Sequence, residues 1–180
     1  FRPGAKLKHI NYTLDRPTLP GANDNPSTTV PVADLDTGLY FERNANFAKG
    51  FTQTLEPRIY YLNAKFEDQT DNPDFDTSDL TFSYQQLFRD DRFSGGDRIG
   101  DANQVTLGLT SRLIDERGIE LLRGSIGRIQ YLEDRRVTLI PTFTQSFLDN
   151  LGNLQTLTDV TQLDVARQLS SDYSPYAAEF

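Results

Sequence analysis

The sequence predicts an all-β fold, a segment of an antiparallel transmembrane β-barrel with about six strands and long extracellular loops. One observation is strict alternation, as in 105–112, where Val105, Leu107 and Leu109 alternate with polar or small residues. A second is that long and short connections alternate along the chain. A third is that only 37% of the residues are hydrophobic, and no run approaches the roughly 20 apolar residues of a membrane-spanning helix.

Alternation without turn residues predicts the strands. They are expected near 4–14, 32–46, 51–66, 102–114, 119–132 and 174–180. The long loops are then 15–31, 67–101 and 133–173, with short turns near 46–50 and at the DERG sequence 115–118. Bacterial outer-membrane barrels place long loops outside and short turns in the periplasm, so the first, third and fifth strands should run outward. We expect a single partial barrel domain over residues 1–180.

Several local features refine this topology. Prolines within 15–31 should prevent ladder pairing there, and Pro57 should cause a bulge or a missing hydrogen bond in its strand. The sequence FSYQQLF at 82–88 suits a helical turn, and DVTQLDVARQL at 159–169 suits a short amphipathic helix, with a strand piece such as VTLIPTF before it. An outer aromatic girdle is expected from Tyr12, Tyr61, Tyr131 and Tyr176, and an inner one from Phe47 and Phe51.

The alternation also assigns side chains to two faces. Leu39 and Leu107 should face lipid, where an arginine would be costly, whereas Thr106 should tolerate one. In the strand at 119–132 the alternation fails after Ile126. The sequence therefore does not assign the later residues of this strand to a face. Glu56 and Arg58 should neighbour each other inside. The expected lumen-facing residues are Lys6, Lys8, Asp34, Asp36, Glu42, Glu56, Arg58 and Arg112.

Composition argues against several other functions. The net charge of −8 disfavours a nucleic-acid partner, which needs a basic surface for the phosphates. The chain has no cysteine and a single histidine, His9, so thiolate and histidine metal sites cannot be built from it. The acidic sequence starting at Asp74 departs from the EF-hand pattern, with Asp79 at position six and Gln85 at position twelve. We therefore expect no enzyme, no metal and no cofactor.

Three strings carry a resemblance to a known family. They are FTQTLEPRIYYL at 51–62, LFRDDRFSGGDRIGDANQ at 87–104 and VTLGLTSR at 105–112. They resemble the LPS-assembly outer-membrane protein family, and SIGRIQYLEDRR at 125–136 is similar to it as well. The resemblance does not extend to 145–172. It implies that this chain is a middle section of a very large barrel in the cell outer membrane, which delivers lipopolysaccharide to the outer leaflet.

The resemblance also implies partners. They are lipopolysaccharide, a plug lipoprotein inside the barrel, a periplasmic LPS-transport bridge and outer-membrane lipids. We expect Lys6, Lys8, Arg58 and Arg112 to contact anionic groups, and the four acidic lumen candidates to tune the field or bind the plug. Plain lumen hydration with internal salt bridges would explain the same residues.

Two other functions fit the residues. A substrate-specific porin or receptor barrel shares the alternation and the loop lengths, and lacks only the family strings. A secreted calcium- or sugar-binding β domain would explain the acidic loop 67–101. Such a domain would not need detergent, so detergent dependence separates it from a barrel.

Overall fold

A computed structural model describes residues 1–15, 23–45, 50–139, 145–148, 154–157 and 167–180. Its strands are β1 (Arg2–Asn11), β2 (Ser27–Gly38), β3 (Phe41–Asn44), β4 (Phe51–Ala64), β5 (Ser78–Asp79), β6 (Phe93–Ser94), β7 (Ala102–Asp115), β8 (Glu120–Tyr131), β9 (Gln145–Leu148), β10 (Leu154–Leu157) and β11 (Ala177–Glu179). A single 3₁₀ turn covers Gln85–Phe88 among the described elements.

The main sheet has the strand order β1-β2-β4-β7-β8-β11, and β3 pairs with β4 alongside β2. Every neighbouring pair in it is antiparallel. Two small ladders, β5 with β6 and β9 with β10, lie apart from it. The predicted all-β antiparallel class is therefore confirmed. Within the part of the chain that the structure describes, no helix has the length and apolar character needed to span a membrane.

The two faces of the main sheet have different surroundings. Residues 67–101 pack over one side, the covered face, where Val30, Val32 and Leu62 are buried together with Ile99 of that segment. The opposite side, the open face, carries apolar side chains that no described residue covers: Leu107 is 49% exposed and Ile126 is 47% exposed. The alternation in the sequence correctly assigned Leu107 and Ile126 to the same face.

The alternation continues through the end of β8. Ser125 and Ile129 are buried on the covered face, whereas Arg128 lies opposite Leu107 in the register and shares the open face. Gln130 follows on the open face, opposite Val105. The sequence pattern failed after Ile126 because the open face itself changes there from apolar to polar.

Pro57 interrupts the neighbouring strand. Leu39 donates its backbone N–H to the Pro57 carbonyl over 3.0 Å, but proline has no N–H to return the bond. β2 therefore ends at Gly38, opposite Arg58, and β3 resumes in the same register with Phe41 opposite Leu55. The predicted missing hydrogen bond is confirmed, and it divides the single strand expected at 32–46 into two.

The expectation that 15–31 is wholly a loop was wrong at its end. β2 begins at Ser27, and Pro31 pairs in register with Leu7 of β1. On its other side the β2–β4 ladder stops at Val32 opposite Ala64, so the absent N–H of Pro31 costs no bond to β4. A proline at the end of a ladder is compatible with a strand.

The 3₁₀ turn confirms the helical turn expected at 82–88 and docks on the covered face. Leu87 is fully buried against Ile129 and Ala177. Thr106 donates its hydroxyl to the Leu87 carbonyl over 2.8 Å and is itself 0% exposed. An arginine at Thr106 would therefore displace the turn, and the expectation that this position tolerates one was wrong.

The turn sits on two glycines. A Cβ at Gly108 would lie 2.5 Å from the Phe88 ring and 2.7 Å from the Tyr84 hydroxyl. A Cβ at Gly127 would lie 2.9 Å from the Leu87 methyl group. No side chain fits between the sheet and the turn at these positions. The close approach of the turn to the sheet thus depends on glycine in two adjacent strands.

Of the four tyrosines expected in the outer girdle, two lie on the open face of the sheet and two on the covered face. Tyr61 lies opposite the open-face residues Leu35 and Val105, and Tyr176 is 65% exposed. Tyr12 and Tyr131 instead lie on the covered side, where Tyr12 binds Asp97 and Tyr131 stacks under Arg135. They face inward because each falls on the covered-face phase of its strand. Phe47 lies outside the described residues.

The segment expected as a third loop, 133–173, contains the β9–β10 ladder. The strand piece expected at VTLIPTF is not a strand at 137–139, and the rest of it lies outside the described residues. Of the helix expected at 159–169, only 167–169 is described, and it is helical. The DERG turn is tight as expected: Asp115 accepts hydrogen bonds from the N–H groups of Arg117 and Ile119, and Gly118 adopts a positive φ of 81°.

A first prediction concerns the glycine contact beneath the turn. In the full-length protein Gly108→Ala should loosen segment 67–101 by about 1–3 kcal/mol, because the added methyl group overpacks the Phe88 and Tyr84 contacts. Trypsin cleavage of the folded full-length protein within that segment measures this. Gly124→Ala is the control, since its Cβ would meet only Phe180 at 3.6 Å, an ordinary contact. Equal cleavage of both variants would contradict the docking.

Candidate functional site

A polar pocket of about 540 Å³ opens on the covered face beside the 3₁₀ turn. Its floor includes four of the predicted lumen-facing residues, Asp36, Glu56, Arg58 and Arg112. The turn supplies one wall through Tyr84 and Phe88. Charged side chains of both signs thus line an open, hydrated cavity, and each is held in place by a neighbouring strand.

The guanidinium of Arg58 makes a bidentate pair with Asp36. Its Nε and Nη2 donate to the two carboxylate oxygens over 2.9 and 2.7 Å. The same cation stacks over the Phe88 ring, with 4.1 Å between Cζ and the ring centroid. Arg2 adds a second ion pair to Asp36 at 2.8 Å. Arg58 therefore links the sheet floor to the turn above it.

A second group of charges surrounds Arg112. Its Nε lies 3.1 Å from Glu56, and its Nη1 lies 3.5 Å from Glu120. Glu120 in turn pairs with Arg123 at 2.9 Å. The side chain of Arg112 is 35% exposed and that of Glu56 is 20% exposed, so both charges border the water of the pocket. Such half-hydrated pairs exchange partners readily, because each is worth little in free energy.

Glu56 and Arg58 are neighbours on the covered face, as expected, but they form no ion pair with each other. Each instead pairs diagonally across the ladder: Arg58 with Asp36, whose register partner is Tyr60, and Glu56 with Arg112, which lies two residues beyond its partner Thr110. Diagonal neighbours on adjacent strands lie within reach of long side chains. The choice of ion-pair partners therefore depends on the register between neighbouring strands. The spacing of residues along the sequence does not contain this information.

Lys6 and Lys8 are engaged by the covering segment. Lys6 donates to Asp90 over 2.9 Å, and Lys8 donates to Asp91 over 2.9 Å. Burial alone would raise the pKa of Asp90, but the hydrogen bond from Lys6 and the charges of both lysines outweigh it and lower that pKa. These lysines hold segment 67–101 against β1, and their charges are already neutralised.

Asp34 and Glu42 share the covered face without an ion pair. Asp34 lies between Leu62 and Gly4 in the register, and Glu42 lies opposite the buried Thr54. Neither carboxylate has a cation within 4.0 Å among the residues that the structure describes. Asp34 and Glu42 therefore give the covered face a net negative charge that the ion pairs do not supply.

Several charged residues of this network were missed by sequence reasoning. Arg123 and Glu179 line the pocket, and Asp90, Asp91 and Glu120 supply partners. Arg123 could have been found, because it follows Leu122 on a strand whose even positions were assigned to the lipid side. The aspartates could not, because 83 residues separate Lys8 from Asp91 and no local pattern joins them.

Asp97 anchors the covering segment to Tyr12, which directly follows β1. Its carboxylate accepts the Tyr12 hydroxyl over 2.5 Å and the backbone N–H groups of Phe75 and Asp76 over 2.7 and 2.9 Å. Burial would raise the pKa of Asp97, but these hydrogen bonds lower it to about 2. Burial and the same bond to Asp97 raise the pKa of Tyr12 to about 12. The contact therefore requires an ionised aspartate and a neutral tyrosine.

Asp101 forms a second anchor, between the covering segment and 134–137. Its carboxylate accepts the backbone N–H groups of Arg136 and Val137 over 2.7 and 3.0 Å. It also pairs with Arg92 at 3.0 Å, and Arg92 donates to the Val137 carbonyl. Both anchors lie in the DRIGDANQ string, 97–104. Residues of that string thus hold segments 67–101 and 134–137 in place against the sheet.

A second prediction tests the Asp97 anchor. Asp97→Asn in the full-length protein should destabilise segment 67–101 by about 1–3 kcal/mol, because an amide has only one acceptor oxygen for three donors. The effect should depend on pH. The folded pKa of about 2 lies below the ordinary 3.8, so the carboxylate stabilises the segment above pH 3.8 and ceases to do so as the pH falls through about 2.

Pepsin cleavage of the folded full-length protein between pH 4 and pH 2 measures both effects. Wild type should resist at pH 4 and approach the cleavage rate of Asp97→Asn at pH 2. The exposed Asp79 provides the control variant Asp79→Asn, which should match wild type throughout. A variant Asp97→Asn that resists as well as wild type at pH 4 would refute the anchor.

Comparison with known proteins places these features in a family. The family model described as LPS transport system D matches residues 1–180. The chain is 53% identical over 146 residues to the LPS-assembly protein LptD of Pseudomonas savastanoi pv. phaseolicola, covering 76% of this chain and 16% of that protein. It is 49% identical over 142 residues to the LPS-assembly protein LptD of Alkalilimnicola ehrlichii, covering 77% of this chain and 19% of that protein.

A third relative, the LPS-assembly protein LptD of Hahella chejuensis, is 48% identical over 139 residues, covering 76% of this chain and 17% of that protein. The chain therefore spans less than a fifth of the length of these relatives. The family model nevertheless covers the covered face, the pocket and both anchors. The chain belongs to the LPS transport system D family.

Proposed function

We propose that this chain is a section of the transmembrane β-barrel of an LPS-assembly protein, located in the cell outer membrane, that transports lipopolysaccharide and inserts it into the outer leaflet. The covered face lines the lumen, the open face meets lipid, and segment 67–101 lies on the outer side. The chain is not an enzyme in this proposal. Family membership together with the contrast between the two faces supports it.

The contrast between the faces is the observation that carries the proposal. The open face exposes large apolar side chains on adjacent strands, among them Leu7, Leu55, Ile59, Leu109 and Leu122. A contiguous exposed apolar surface of this kind marks a binding or membrane-facing region. The covered face holds the ion pairs and the polar pocket. A barrel wall between lipid and water needs this division.

Strand length also supports a membrane-spanning wall. A tilted strand needs about 9–11 residues to cross the hydrocarbon core. β1 has 10 residues, β2 and β8 have 12, and β4 and β7 have 14. The longest strands therefore reach beyond the core, as strands do where they continue into folded loops.

The two edges of the sheet are consistent with a larger barrel. β1 and β11 each have a neighbour on one side only within the described chain. Unpaired backbone groups in hydrocarbon cost several kcal/mol each, so open edges are not stable there. In the proposal the adjoining strands of the full-length protein pair with β1 and β11.

We assign the contact with lipopolysaccharide to the pocket beside the 3₁₀ turn. Arg58 and Arg112 border its water with side chains 39% and 35% exposed, whereas Lys6 and Lys8 are neutralised by the covering segment. Guanidinium groups bind phosphate through two parallel hydrogen bonds. The surrounding acids keep the binding weak enough for release. A plug lipoprotein in the lumen and the periplasmic LPS-transport bridge act as partners.

A third prediction tests this assignment in cells that depend on the full-length protein. Photo-crosslinkers placed at Arg58 or Arg112 should capture lipopolysaccharide or the plug lipoprotein, because both positions border the lumen. Crosslinkers at Leu107 or Leu109 are the matched controls on the open face and should capture neither from the lumen. Surface lipopolysaccharide at normal levels without capture at Arg58 or Arg112 would contradict the proposal.

A charge reversal at Arg58 distinguishes direct contact with lipopolysaccharide from a structural role in holding the 3₁₀ turn. Arg58→Glu should raise antibiotic permeability at normal barrel levels without abolishing transport, because one half-hydrated ion pair contributes only about 0–1 kcal/mol. Phe88→Leu is the control: it removes the ring under the Arg58 cation but keeps the charge. If Phe88→Leu raised permeability as much as Arg58→Glu, Arg58 would support the turn and have no part in transport.

A further inference from the structure

Arg128 is a cation on the open face of the sheet. It lies in β8 between Ile126 and Gln130, with Leu107 as its register partner on β7. Below it the open face is apolar, as Leu107, Leu109 and Ile126 are 49%, 40% and 47% exposed. Above it stands the polar Gln130. Arg128 therefore marks the level at which this face changes from apolar to polar.

Two tyrosines hold the guanidinium of Arg128 in a fixed position. The rings of Tyr173 and Tyr176 lie 4.2 and 4.6 Å from its Cζ atom. Its Nη1 donates to the Tyr176 hydroxyl over 3.2 Å, and its Nη2 donates to the Ser174 carbonyl over 3.4 Å. Both rings remain well exposed, at 46% and 65%. The cation is thus ordered by neutral groups in an accessible setting.

No anion neutralises this cation within the described part of the chain. Arg128 has no carboxylate within 4.0 Å there, and its Nε is shielded from solvent without a hydrogen-bond partner. The strand arginines of the covered face differ, since Arg58, Arg112 and Arg123 each pair with an acid. A positive charge that is ordered, desolvated in part and unpaired is complementary to an external anion.

We propose that Arg128, Tyr173 and Tyr176 bind the phosphate group of an outer-leaflet lipid that resides beside the barrel. This inference rests on the proposed membrane location. The lipid chains would lie along Leu107 and Ile126, and the phosphate would accept hydrogen bonds from the guanidinium. Arginine suits phosphate because its planar donors match two oxygens. Tyrosines with exposed rings suit the headgroup level.

The occupant is a resident lipid and not the lipid in transit. The transport pocket lies on the covered face, and the sheet separates it from Arg128. A lipid bound here would fix the height and tilt of β8 and β11 in the membrane, because its phosphate is held at the polar boundary of the open face. Removal of this site should therefore leave transport through the pocket unaltered.

The test is a lipid titration of the full-length barrel in dodecyl maltoside, followed by native mass spectrometry. The probes are dioleoyl phosphatidic acid and dioleoylglycerol, which share their chains and differ by the phosphate. Arg128→Gln should weaken binding of the first phosphatidic acid about tenfold, which corresponds to about 1.4 kcal/mol. Arg89→Gln removes the same charge from an exposed position outside the pocket, just after the 3₁₀ turn, and should bind both lipids as wild type does. Dioleoylglycerol should not distinguish the proteins.

Equal binding of phosphatidic acid by wild type and Arg128→Gln would overturn the inference, as would wild-type binding of dioleoylglycerol as tight as that of phosphatidic acid. Tyr176→Leu covers the case in which Arg128→Gln fails to fold: it keeps the charge but removes one ring, and it should weaken phosphatidic acid binding severalfold. Unchanged binding in Tyr176→Leu would count against the site.

Capture of lipopolysaccharide from within the lumen is measured separately at Arg58 and Arg112. Failure there, with loss of phosphatidic acid binding in Arg128→Gln, would reject the transport proposal alone. Lumen capture with unchanged lipid binding would reject the Arg128 site alone.

Discussion

The two-residue period of the strands is the constraint on which the rest of this structure depends. Successive side chains in β2, β4, β7 and β8 point to opposite faces, so each strand must satisfy two environments at once. One environment is the packed and hydrated covered face, with buried residues such as Thr106 and Val32. The other is the open face, with Leu107 and Ile126 exposed. A register slip of one residue would exchange the two sets.

Segment 67–101 packs over the covered face and buries it. This packing is possible because Gly108 and Gly127 let the 3₁₀ turn approach the backbone of the sheet. Charged contacts hold the segment at both ends of the contact. Lys8 with Asp91 fixes it to β1, and Asp97 with Tyr12 fixes it just beyond the end of β1. Between these anchors the pocket remains open, and the charges that border it stay hydrated.

The sequence predicted those parts of the fold that depend on local periodicity. The phases of β2, β4 and β7, the phase of β8 as far as Ile126, the DERG turn and the turn at 82–88 were predictable from neighbouring residues. So was the lost hydrogen bond at Pro57. The predictions that failed depended on how the strands pair. Pro31 belongs to β2 because it lies past the end of the β2–β4 ladder. Tyr12 and Tyr131 lie on the covered side because of their phase in β1 and β8.

The sequence predicted which residues belong to the candidate site, but not how their side chains pair. Alternation placed Asp36, Glu56, Arg58 and Arg112 on one face, and the structure brings them together in one pocket. Their pairing was not predictable, because diagonal ion pairs depend on the register between strands. The engagement of Lys6 and Lys8 by Asp90 and Asp91 depends on a contact across more than 80 residues. No spacing rule reports such contacts.

The central claim is that one face of this wall meets lipid and the other meets water. Phe41 and Glu42 test it directly, because these adjacent residues of β3 are both exposed but lie opposite Leu55 of the open face and Thr54 of the covered face. The measurement is the free energy of unfolding of the full-length protein in liposomes for Phe41→Arg and Glu42→Arg. We predict a loss of about 2–4 kcal/mol for Phe41→Arg and a small change for Glu42→Arg. Equal losses for the two variants would contradict it.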